Sequence, residues 1–363
     1  MTFYYMKERP YMADDQNETT NSMTRRSLLK LGAELCMAGS LALLAGCGTS
    51  PATSEAGAAT AQTGGTATPV ADQEYVEVLA LINLPYFVDH KAGLETAGRE
   101  LGVKTRFIGP AEYDITAMIN TMEQVIAQRV AGLLVVGFDD ALTPAINKAV
   151  AAGIPTVTVD ADVASSRRLS FLGTGNFGAG VQGARVLAAA IGATGKVIIV
   201  TKTGQSNLEE RIAGYRAELA KFPNIKIIQV VNDDSDSTKA AAAVSAVLQT
   251  TPDLAGIACV EAAGGVGAAT AIKEARKVGQ VKIVSMDRDD GTLDFIKDGV
   301  IEASIAQKTA LMTYLGTKLL FGLKNNPLSI VKDNAAANVV PLPASVDTGT
   351  EVITKSNVAA WYH

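Results

Sequence analysis

The side chains able to do chemistry in this chain are carboxylates and amides set at the ends of short apolar runs. Asn83 lies beyond "YVEVLALI" and Asp139 beyond "GLLVVG"; Asp160 closes "PTVTVD", with Asp162 two positions on; Glu261 closes "GIACVE" and Asp287 closes "KIVSMD". Such groups suit hydroxyl recognition, because one planar carboxylate or amide can bond two neighbouring hydroxyls at once. Each could equally cap the helix that follows. Catalytic constellations are scarce. The histidines are His90, inside a helical pattern, and the terminal His363, so no Ser-His-Asp arrangement or metal cluster can be assembled. The acidic runs "NDDSDS" and "MDRDDG" lack the ligand spacing of a calcium loop. No cofactor, no metal and no enzymatic activity are expected.

The stretch "FLGTGNFGAG", residues 171–180, has the outward form of a dinucleotide turn, with Gly173, Gly175 and Gly178 ahead of a helix-like segment. A nucleotide site also needs an acidic residue about 20 positions on, at the end of the next strand. Here the next apolar run, "KVIIV", leads into Thr201 and Lys202. The reading that remains is a chain crossing, with the glycines giving a tight hinge and Asn176 pointing into a cleft. "AAGGVGAA" (262–269) reads as a glycine-rich turn before a helix, able to take an anion or to allow close helix–strand packing. Tyr86 and Phe87 stand out in a chain with only 5% aromatic residues. The two rings either pack in the core or offer flat faces to a sugar at a cleft mouth.

The elements that must position these groups alternate. Strand-like runs at 75–82, 103–108, 132–137, 155–160 and 169–173 are separated by amphipathic helical stretches. The theme repeats at 196–200, 225–231, 256–261, 282–287 and 302–307, with helices over 207–221, 237–250 and 265–277. Apolar strands alternating with helices form parallel sheets covered on both faces. About ten strands exceed one comfortable sheet of this kind, so the fold class expected is α/β with two doubly wound parallel-sheet lobes. The 363 residues, 48% of them hydrophobic, suffice for two cores, and a net charge of −5 without a basic aromatic patch argues against nucleic acid.

The front of the chain carries an address. "TRRSLLK" (24–30), with Arg25 and Arg26, followed by a short apolar run, resembles a twin-arginine export signal over residues 1–46. "LAGC" (44–47) resembles a lipobox, which would leave a lipidated Cys47 as the new N-terminus, held in the membrane by several acyl chains. Residues 47–74 are almost all small or polar and read as a flexible tether. With Cys36 in the signal and Cys47 modified, Cys259 stands alone, so no internal disulfide is expected.

Taken in order, "NLPYFV", "AAGIPTVTVDAD", "GTGNFGAG", "NLEERIAGY", "LQTTPDLAGIACVEAAGGVGAA", "IVSMD" and "GVIEASIAQ" resemble the ribose-type periplasmic binding proteins, the sugar-binding components of ABC importers. The resemblance implies a type I fold with one lobe from residues 75–174 plus 307–335 and the other from 175–306 plus 336–363, closing about a hinge. It implies that Tyr86 and Phe87 sandwich a sugar ring and that Asp160 takes sugar hydroxyls. Arg211 would donate from the second lobe, with Asn207 one turn earlier, and Asp287 and Gln307 would supply an acid and an amide from the last two strand ends. Leu84, Ala161, Glu261 and Ser235 depart from the ribose binders, which have asparagine, arginine, asparagine and an aromatic there. These departures point away from ribose and toward another monosaccharide or a polyol. The implied partners are an ABC permease with its ATPase, served by a monomer tethered to the outer face of the cell membrane. The alternative is a ligand-sensing receptor that presents a sugar or autoinducer to a membrane kinase or chemoreceptor.

Overall fold

The computed structural model describes residues 68–362. The signal, Cys47, the tether as far as residue 67 and His363 lie outside the described residues. The tether ends earlier than residue 74. Gln73 is buried and its amide donates to Asn325 Oδ1 (2.7 Å), because the first strand begins at the next residue.

The first lobe runs through β1 (Glu74–Val78), α1 (Val88–Leu101), β2 (Lys104–Ile108), α2 (Ile115–Ala127), β3 (Gly132–Val136), α3 (Thr143–Ala151), β4 (Thr156–Val159) and β5 (Phe171–Gly173). The second contains α4 (Asn176–Ala190), β6 (Gly195–Thr201), α5 (Ser206–Leu219), β7 (Ile225–Asn232), α6 (Ser237–Thr250), β8 (Leu254–Cys259), α7 (Ala262–Glu274), β9 (Lys282–Met286), α8 (Asp290–Lys297) and β10 (Ala303–Gln307). The chain then returns through α9 (Thr309–Asn325) and β11 (Ser345–Asp347) and finishes with β12 (Thr350–Thr354). Strands such as β3, "GLLVV", are buried at every position, as strands with helices on both faces must be. Side-chain caps start several helices: Asp114 accepts from Ala117 N ahead of α2, and Asp236 from Thr238 N and Lys239 N ahead of α6.

The two six-stranded sheets have the same plan, β11-β5-β4-β3-β1-β2 and β12-β10-β9-β8-β6-β7. Only β12 runs antiparallel to its neighbour. The chain passes between sheets at Thr174–Gly175, at Lys308 and at Thr348–Gly349. The last passage corrects the expected boundary at residue 336. β11 pairs in parallel with β5, Ser345 against Phe171, so the segment up to Asp347 belongs to the first lobe and β12 alone returns to the second. Two further expectations change. The run 75–82 leaves the sheet after Val78. "AAGGVGAA" is not a turn but lies within α7, where a Cβ on Gly265 would meet Ser285 Oγ at 1.9 Å and one on Gly267 would meet Ala240 Cβ at 2.4 Å. Close packing explains these glycines, and the Glu261 carboxylate already occupies the helix N-terminus.

Candidate ligand-binding cleft

In open α/β sheets the carboxyl ends of the strands at the point where strand order reverses face the ligand. Here the strand ends of the first lobe, the Thr174–Gly175 crossing and the start of α5 line one polar cleft of about 740 Å³. Asp160 follows β4 and Asp287 follows β9, which occupy equivalent places in the two sheets. Both take the left-handed backbone, φ 65°, a strained conformation that persists only where surroundings enforce it. Asp160 Oδ1 accepts from the Tyr86 hydroxyl at 2.7 Å, and Asp287 Oδ1 from Gln307 Nε2 at 2.9 Å.

Arg211, projecting from α5 and 4% exposed, ties the second lobe to the crossings. Its Nε donates to Asn176 Oδ1 (2.8 Å), Nη1 to the Val260 carbonyl (2.9 Å) and Nη2 to Gln307 Oε1 (3.0 Å). Gln307 Oε1 also accepts from the Thr174 hydroxyl at 2.8 Å. A continuous network of donors and acceptors therefore runs from one crossing to the next, and such a network rigidifies when every member is satisfied. Burial raises the Asp287 carboxyl from 3.8 to about 6, with Asp160 adding to it and Arg211 and Gln307 opposing it. Burial also lifts the Tyr86 phenol well above its usual range, reinforced by Asp160 and Asp287. The charge of Asp287 is thus costly unless donors reach it.

Of the residues singled out in the sequence, Tyr86, Asp160, Asn176, Arg211, Asp287 and Gln307 fall in this network. Asp139 and Asn207 line the cleft without joining it; Asp139 is exposed and accepts from Ala141 N at 2.8 Å. Phe87 is nearly enclosed, 2% exposed, and packs edge-on against Tyr86, His90 and Phe138. Asn83 is exposed in the loop before Pro85. Asp162 lines the cleft wall but is engaged inside its own lobe, by Arg168 and by the Thr158 hydroxyl at 2.7 Å. Glu261 caps α7, accepting from Gly264 N (2.6 Å) and Ala263 N (3.0 Å). Burial and the neighbouring Asp233 carboxylate push its carboxyl to about 8.

Two contributors escaped the sequence. Thr174 sits inside the glycine stretch and carries no signal of its own. Asp347 ends a strand of only three residues, too short for a periodic pattern, yet its Oδ1 accepts from Gly175 N at 2.8 Å. That carboxylate sits where the pyrophosphate of a dinucleotide would lie, at the start of α4. Cys259 is a free, buried thiol that burial pushes well above its usual range. Among the described residues no group of three or more His, Cys, Asp or Glu is placed to hold a metal ion, and no helix is long and apolar enough to cross a membrane.

Twin lobes of one strand plan, joined by three crossings with a polar cleft at the first of them, define a solute receptor that holds its ligand between lobes. Residues 78–326 match the family described as periplasmic binding protein domain, and the chain belongs to that family, whose members bind solutes and are not enzymes. It is 28% identical over 273 residues to the D-allose-binding periplasmic protein of Escherichia coli, covering 72% of this chain and 88% of that one. Among solved structures, the sugar-binding protein of a sugar ABC transporter from Bacillus halodurans shares 36% identity with a TM-score of 0.77. AraP, an arabinose-binding protein from Geobacillus stearothermophilus, shares 37% with a TM-score of 0.76. Each match covers 80% of this chain and all of the other.

Proposed function

We propose that this protein is the extracytoplasmic solute receptor of an ABC importer, closing its lobes on a monosaccharide or polyol and delivering it to the permease. The observation that carries this reading is the pair of strained acids, Asp160 and Asp287, at equivalent strand ends of opposite lobes, with Arg211 and Gln307 spanning the crossings between them. A ligand rich in hydroxyls satisfies both acids at once and so favours the closed population. The names of the relatives, D-allose-binding and arabinose-binding, support a pentose or hexose. Leu84 and Ala161, which replace polar residues of ribose binders, support a sugar other than ribose. The lipobox and twin-arginine stretch support attachment through Cys47 to the outer face of the cell membrane, with residues 48–67 as part of the tether.

The test is thermal unfolding of the full-length Cys47→Ala chain against pentoses, hexoses, inositols, linear polyols and NAD. A specific ligand at a hundredfold excess over its dissociation constant stabilises by about 2.7 kcal/mol. A rise confined to one sugar class supports the receptor reading; a flat sugar panel refutes it.

A further inference from the structure

Behind Tyr86 and Phe87 lies a buried carboxyl–imidazole pair. Glu77 in β1 and His90 in the first turns of α1 are both fully buried, with His90 Nδ1 and Glu77 Oε1 2.6 Å apart. Glu77 Oε2 and His90 Nε2 are buried without a hydrogen-bond partner. Burying two ions costs several kcal/mol each, and well-packed apolar residues would often be more stable. A core that keeps such a pair gains geometry from it.

The geometry it fixes is that of the rings beside Asp160. The His90 ring meets Phe87 edge-on at 5.0 Å and Tyr86 at 6.0 Å, and Tyr86 in turn meets Phe87 edge-on at 5.1 Å. The Thr313 hydroxyl donates to the His90 carbonyl at 2.8 Å, which fixes this turn of α1 against α9. The Tyr86 hydroxyl ends the chain of contacts on Asp160. We propose that Glu77 and His90 are positioning residues for ligand binding: the buried pair sets the planes of Phe87 and Tyr86, and through them the Tyr86–Asp160 contact, without touching the ligand.

The charged and titratable groups facing the His90 ring are Glu77 from β1, Asp160 from the end of β4, Asp89 from its own helix, itself bonded by Arg288 of the second lobe, and the Tyr86 phenol. Burial pulls the imidazole down, but Glu77, helped by Asp160 and Asp89, outweighs it and holds His90 above its usual value. A raised histidine contributes its stabilisation below the unfolded value and loses it as pH rises through the folded one. Deprotonation also removes the attraction of a cation for the neighbouring rings.

This inference rests on the sugar-receptor reading. Its test is calorimetric titration of the full-length Cys47→Ala/Glu261→Gln chain, in which the carboxyl raised to about 8 is replaced by an amide, with the most stabilising sugar of the panel, from about pH 7 to about pH 9.5, above the range where Asp287 titrates. Wild type is compared with Glu77→Gln and with the apolar double variant Glu77→Leu/His90→Leu. An edge-on aromatic contact is worth about 0.5–1.5 kcal/mol, so both variants are expected to bind about tenfold more weakly near pH 7. Wild-type affinity should decline toward high pH, and both variants should show a flat profile. Folded variants with wild-type affinity, or a flat wild-type profile, overturn the proposal; the second readout stands even where neither variant folds. A folded wild type that binds no sugar overturns the receptor reading and this inference together, whereas sugar binding with unaltered variants overturns the inference alone.

Discussion

Replacing Arg211 by methionine separates a binding network from a structural one. The substitution keeps most of the apolar stem and removes the guanidinium, so Asn176 Oδ1 and the Val260 carbonyl lose their donor, and Gln307 Oε1 keeps only the Thr174 hydroxyl. Asp287 loses the cation that holds its carboxyl down. Truncating one partner of a buried charged network costs about 2–5 kcal/mol. With Gln307 still bonded to Thr174, the middle of that range applies: about 3 kcal/mol, or about 150-fold in Kd. Asn176, Val260 and Gln307 are buried without ligand as well, so unfolding of the free protein should also lose about 1–3 kcal/mol. Calorimetric titration near pH 7.5 and urea unfolding without ligand measure the two quantities. A Kd within threefold of wild type removes Arg211 from the binding network. Unfolding unchanged without ligand would show that the buried acceptors do not depend on Arg211 in the free protein.

Two further outcomes follow from the buried acids. Asp287 binds its proton at about 6 in the folded chain against 3.8 when exposed, so between those values the native state holds a proton that the unfolded state has released. Stability therefore rises through this group as pH falls from about 6 to about 4.5, by about 1.5 kcal/mol, and Asp287→Asn should abolish the increment in urea unfolding; an unchanged difference between the two pH values refutes the assignment. The Glu261 carboxyl is raised to about 8, toward its neutral form, and Glu261→Gln puts a neutral group there that keeps a capping oxygen. That variant should unfold within about 0.5 kcal/mol of wild type while Glu261→Ala loses about 2 kcal/mol. Equal losses would show that the ionised form supports the cap.

The acids at strand ends were legible because a doubly wound sheet places the residue after each strand at one edge, so sequence position implies spatial position. That logic found Asp160 and Asp287. It could not tell them from Asp162 and Glu261, which have the same placement in sequence but turn to Arg168 and to the start of α7. Ligand-facing and capping carboxylates share a residue type and a position, and only the direction of the side chain separates them. Arg211 and Gln307 became visible through resemblance, since a lone arginine in a helix and a glutamine at a strand end carry no pattern of their own.

The alternation of apolar runs and amphipathic stretches by itself determined the α/β class and the division into two lobes, because burying both faces of parallel strands demands that pattern. The glycine stretch by itself lacked the acidic residue that a nucleotide site needs at the next strand end. What only the tertiary structure decided were contacts between segments far apart in the chain: β11 against β5, Asp347 on Gly175, Thr174 and Arg211 on Gln307, and Glu77 against His90 in the core. Local periodicity reports which face of an element is buried; it carries no information on which distant side chain arrives there, because that depends on how the whole chain packs.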